Sequence, residues 1–99
     1  MTRSENIVRA MLGERVLRNG WPDYLVLPNI GVEAKYNGQG LTVEQMAVAN
    51  VLVKAGWHYF VITVRKDDSV YVWDYGAQKE VTVDEFKALV AKQSAGGVM

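Results

Sequence analysis

Between Trp57 and Val64 the chain reads WHYFVITV, a nearly continuous apolar run rich in β-branched and aromatic residues. Such a run suits a strand buried inside a sheet, where both faces lie against other parts of the protein. Around it the sequence must supply neighbouring strands and covering helices. Upstream, Thr42 and Gln45 form a capping box that opens a helix running to about Ala55, with Gly56 as its stop. Downstream, Arg65 to Asp68 form a charged, solvated turn, and Val70 to Tyr75 alternate as a strand.

The remaining segments complete an α/β pattern. Ile7, Val8, Met11 and Leu12 recur at helical spacing from about Arg3 to Leu12, Thr2 and Glu5 fit a capping box, and Gly13 is a stop. Glu14 to Arg18 reads as a short strand, followed by the turn signal Asn19-Gly20. Trp21 to Leu27 is apolar on both faces, Pro28 to Gly31 turn the chain, and a strand starting at Ile30 or Val32 ends near Tyr36. Thr82 and Glu85 cap a last helix carrying Val83, Phe86, Leu89 and Val90 on one face, and residues 94–99 are expected to form a loose tail. The predicted order is α-β-β-β-α-β-β-α in one domain, residues 1–99, a size that suits a single core.

Composition limits the chemistry. The chain has no cysteine and a single histidine, His58, so thiolate and multi-histidine metal sites are excluded and any metal must be held by oxygen. His58 stands among aromatics at a strand entrance, and a structural role is expected for it. Eleven basic and eleven acidic residues cancel, although the first twenty positions hold four arginines against two glutamates. Phosphate affinity therefore has to come from local clustering. No apolar run approaches the roughly 18 residues a membrane span needs, and a cytoplasmic location is expected by default.

One stretch concentrates ionisable groups: WPDYLVLPNIGVEAK, Trp21 to Lys35. Glu33 and Lys35 are two positions apart, so in a strand they project from one face. Asp23 joins that face only if the loop between the two strands has an odd number of residues or contains a bulge. Two carboxylates there would offer a divalent cation hard oxygen ligands beside a positive charge. Glu5 and Gln45 each have two readings, as helix caps or as members of the site, since both also lie on apolar stripes of their helices. In the second helix Met46, Val48, Val51, Leu52 and Val53 leave no clean polar face. Such a helix is expected to be covered on more than one side, in part by a second subunit.

Pro22-Asp23, Glu33-Ala34-Lys35, the downstream Gln45 and the upstream Glu5 together resemble the PD-(D/E)xK nuclease superfamily. Within it, the G-x-P-D of Gly20 to Asp23, the E-x-K and the glutamine are similar to the VRR-NUC domain, over roughly Glu5 to Val64. The resemblance implies a restriction-endonuclease-like core with a mixed central sheet. It implies Asp23, Glu33 and the backbone carbonyl of Ala34 as ligands of Mg2+, with Mn2+ able to substitute. Lys35 would orient or activate the attacking water, and Gln45 and Glu5 match accessory catalytic positions. A bulky Trp21 is the main departure. The function implied is that of a stand-alone phage or bacterial endonuclease, a homodimer acting on branched DNA such as four-way (Holliday) junctions. Two other readings stand beside it: a related nuclease acting on linear or flapped DNA, and a non-catalytic dimeric binding module.

Overall fold

The structure is a computed structural model describing residues 3–12, 16–18 and 22–96. Its elements are helix α1 (Arg3–Leu12), strands β1 (Val16–Arg18), β2 (Tyr24–Val26) and β3 (Ile30–Tyr36), helix α2 (Val43–Lys54), strands β4 (His58–Val64), β5 (Val70–Asp74) and β6 (Lys79–Val81), and helix α3 (Val83–Gly96). The six strands form one sheet in sequence order, with every neighbouring pair antiparallel except β3 and β4. Parallel neighbours need a crossover rather than a hairpin, and α2 provides it. The mixed sheet with three helices agrees with the expected α/β class.

The sheet divides the chain's side chains by parity. Tyr24, Val26, Ile30, Val32, Phe60, Ile62, Val64 and Val72 share one face and pack against Val8 and Leu12 of α1 and Phe86 and Val90 of α3. Phe60 and Phe86 meet edge to face, with ring centroids 4.9 Å apart at 76°. The opposite face carries Gly31, Glu33 and Lys35 on β3, Tyr59, Val61 and Thr63 on β4, and Tyr71 and Trp73 on β5. Helix α2 lies over this second face, where Leu52 approaches Gly31. Its burial is slight: Ala49 is the one fully buried side chain of α2, while Val43 and Val51 are 74% and 67% exposed.

The structure corrects the expected order in one place. Strand β6 adds a third strand between α2 and α3, making the order α-β-β-β-α-β-β-β-α. Its three residues Lys79-Glu80-Val81 include two exposed charges, so no apolar alternation announces it; backbone pairing with β5 at the sheet's edge makes it. Strand β2 is shorter than the Trp21–Leu27 reading, and α3 runs through Gly96, into the tail expected to be loose. Thr2, Gly13, the beginning of the first predicted strand, the Asn19-Gly20 turn, Trp21 and residues 97–99 lie outside the described residues. Among the described residues no helix is long and apolar enough to cross a membrane.

Candidate functional site

The loop joining β2 to β3 is Leu27-Pro28-Asn29, an odd number of residues, with a cis Leu27–Pro28 peptide. Tyr24 pairs with Val32, Leu25 with Gly31 and Val26 with Ile30. The same register carried one residue further sets Asp23 opposite Glu33, on the same face. The odd loop alone meets the geometric condition, and the paired residues show no bulge. Pro22 and Asp23 precede β2, so β3 runs past its neighbour's start. There the Ala34 amide donates to Asp23 Oδ2 at 2.9 Å, the carboxylate standing in for a strand partner. A residue's carbonyl projects to the same strand edge as its amide, so the Ala34 carbonyl emerges beside Asp23.

Glu33 is 2% exposed, and its Oε1 has no hydrogen-bond partner among the described residues. Its carboxyl is pushed up from 4.5 to about 9 by burial first, then by hydrogen bonding to Asp23 and by repulsion from it, while Lys35 pulls the other way. Two carboxylates held this close cannot both stay ionised without a proton or a cation between them. Their oxygens and the Ala34 carbonyl are the hard donors that Mg2+ or Mn2+ takes, and Mg2+ ordinarily fills its other positions with water. The unpartnered buried Glu33 oxygen is a donor of the kind such a cation takes. Among the described residues no three His, Cys, Asp or Glu side chains cluster, so carboxylates alone do not complete a ligand set.

Lys35, half-buried on the same face, donates from Nζ to Gln45 Oε1 at 2.8 Å. That oxygen also accepts from the Thr42 amide at 2.9 Å, while Gln45 N donates to Thr42 Oγ1 at 3.1 Å. Cap and site are thus one arrangement for Gln45: the capping box of α2 fixes the amide that holds the lysine. Glu5 is placed differently. It lies in the first turn of α1 and lines a cleft of about 470 Å3 with Arg3, Ala34, Tyr36 and Gln39, apart from the Asp23–Glu33 pair. The Tyr24 hydroxyl donates to its backbone oxygen at 3.2 Å, tying α1 to β2. The Thr2 half of its expected capping box lies outside the described residues.

Sequence patterning does not single out Tyr59. Its ring packs beside Gly31, its hydroxyl is buried without a partner among the described residues, and burial, followed by the charges of Glu33 and Asp23, raises its phenol above the ordinary tyrosine range. His58 is exposed, stacks on Phe60 with centroids 6.4 Å apart, and lies away from the carboxylates, on the opposite face. Comparison with protein-family models, with curated proteins and with solved structures finds no match for this chain. Any functional reading therefore stands on the site itself.

Proposed function

We propose that the chain is a metal-dependent DNA endonuclease with a restriction-endonuclease-like core of the VRR-NUC kind. The observation that carries this reading is the pair of a half-buried Asp23 and a buried Glu33, facing each other beside Lys35, with one glutamate oxygen unpartnered. Asp23, Glu33 and the Ala34 carbonyl would hold Mg2+ or Mn2+. Such an ion, when bound, neutralises the anionic phosphodiester and lowers the pKa of bound water. The protein's own part is placement and charge. Asp23 is oriented by the Ala34 amide, and Lys35, held by Gln45, presents an ammonium to charge developing on the phosphoryl oxygens. The amino end of α2 beside Lys35 adds positive potential of the sign a phosphate needs.

The same reading proposes branched DNA as substrate and a homodimer as the working form, the second copy docking on the apolar strip of Ala47, Val48 and Val51 on α2. The deciding experiment is cleavage of labelled four-way junctions, flaps and linear duplex, with and without Mg2+. The parent protein is expected to cut the branched substrates only with the metal, and Lys35→Ala to cut them about 100- to 1,000-fold more slowly. Equal cleavage by Lys35→Ala or Asp23→Ala would sink the reading. Calorimetry with Mn2+ separates it from a non-catalytic module, which should give no heat that depends on Asp23.

A further inference from the structure

The face of the sheet that carries Glu33 and Lys35 continues across β4 onto β5. Lys35 is level with Thr63 and then Tyr71; Glu33 is level with Val61 and then Trp73. Two strand spacings, about 10 Å, therefore separate the carboxylate–lysine site from a pair of aromatic rings. Tyr71 and Trp73 are parallel within 11°, with centroids 6.5 Å apart, and Arg65 lies over the Tyr71 ring with its guanidinium carbon 5.1 Å from the centroid. Val61 and Thr63 join the two rings as the floor of a groove of about 350 Å3, walled by Met46 of α2 and by Gln78. Both rings are half-buried, and α2 leaves this part of the sheet uncovered.

We infer that the groove takes an unpaired DNA base, stacked on Tyr71 and Trp73, from the strand whose phosphodiester lies at the Asp23–Glu33–Lys35 site. This rests on the endonuclease reading of that site. Three observations favour a base over another apolar occupant. The rings lie within 11° of parallel with centroids 6.5 Å apart, so a flat ring stacked on one is nearly parallel to the other. Cations flank them on the side of the phosphodiester, Lys35 on β3 and Arg65 at the end of β4. Apart from the Asp23–Glu33 pair itself, a further carboxylate of this face, Glu80, stands opposite Trp73 on the far side, toward β6. A polyanionic backbone is thereby directed along the Lys35 and Arg65 side, with the bases turned toward the rings. Bases inside a duplex are already stacked on their neighbours and offer no free face, so the groove favours branched substrates with unpaired nucleotides next to the cut over plain duplex.

Binding measured in EDTA tests this apart from cleavage. The probe is a duplex bearing a short single-stranded branch with 2-aminopurine at an unpaired position, compared with a fully paired duplex of equal length. The parent protein is expected to bind the branched probe about tenfold more tightly and to quench its fluorescence. Trp73→Leu and Tyr71→Leu should each lose about tenfold and most of the quenching, and Trp73→Phe should keep both. Equal affinity for the two probes without quenching overturns the inference, as does undiminished binding by either leucine variant with unchanged circular dichroism. If Trp73→Leu instead lowers the sedimentation coefficient and leaves quenching intact, the face belongs to a second copy. Lys35→Ala separates the two readings: intact quenching with undiminished cleavage removes the endonuclease site and leaves the stacking surface standing.

Discussion

Glu33 is the residue at which stability and chemistry meet. Its carboxyl is held at about 9 in the fold against an ordinary 4.5, so between those values the metal-free native state keeps a proton that the unfolded chain has lost. Stability must then fall as pH rises through that window, by up to about 1.4 kcal/mol per pH unit for one proton. Urea unfolding in EDTA from pH 5 to 9 should show this slope, and Glu33→Gln should flatten it; an unchanged slope in the variant rules out Glu33 as its source. Gly31 is the second informative residue. A Cβ there would lie 3.1 Å from Pro22 Cγ and 3.3 Å from Tyr59 Cδ2, so Gly31→Ala is expected to cost about 1–3 kcal/mol. Because Pro22 precedes Asp23, the same variant should weaken Mn2+ binding, measured by calorimetry. The alternation E-x-K makes the pairing of Glu33 with Lys35 legible from sequence. The place of Asp23 depends on loop parity and that of Tyr59 on the β3–β4 register, and neither is written in local composition.

At the scale of elements, the two capped helices offer a controlled comparison. Thr42 and Gln45 close a capping box on α2, and Thr82 and Glu85 make the same exchange on α3, Glu85 N donating to Thr82 Oγ1 at 3.0 Å. Thr42→Ala and Thr82→Ala should each cost about 1 kcal/mol in thermal or urea unfolding. Of the two side chains that close the boxes, only Gln45 also holds Lys35, so Gln45→Ala and not Glu85→Ala should slow cleavage beyond its effect on stability. Equal loss of cleavage in both variants would detach Gln45 from the site. These caps were legible because a capping box is local chemistry, complete within four residues. Strand β6 was not, because its evidence lies in backbone bonds to β5. The long apolar run of β4 sits between these cases: its composition demands burial, while its parallel partner is decided by the crossover through α2.

At the scale of the molecule, the helix over the second face remains to be accounted for. Two helices bury the first face of the sheet, whereas α2 buries only Ala49 completely and leaves Val43 and Val51 largely exposed. An apolar strip next to a groove lined by Ala47, Val48, Val51 and Leu52 is the kind of surface that a two-fold contact makes self-complementary. A stable contact needs about 800 Å2 from each partner, so the strip must serve as its centre with polar neighbours as its rim. The strip lies on a different side of α2 from Met46, so dimerisation and the aromatic groove on β5 do not compete for the same side chains. In the proposed endonuclease, a dimer brings two sites to one branch point, and each copy cuts one strand. Placing a charge at the centre of that contact, as in Val51→Glu, should therefore yield a folded monomer by sedimentation. That monomer should bind Mn2+ as the parent does, because Val51 is largely exposed and lines a groove that includes neither Asp23 nor Glu33. On a four-way junction it should nick single strands and lose the paired cuts that resolve the branch. A Val51→Glu protein that remains dimeric, or a monomer that still makes paired cuts, would separate the second copy from α2 or from the reaction.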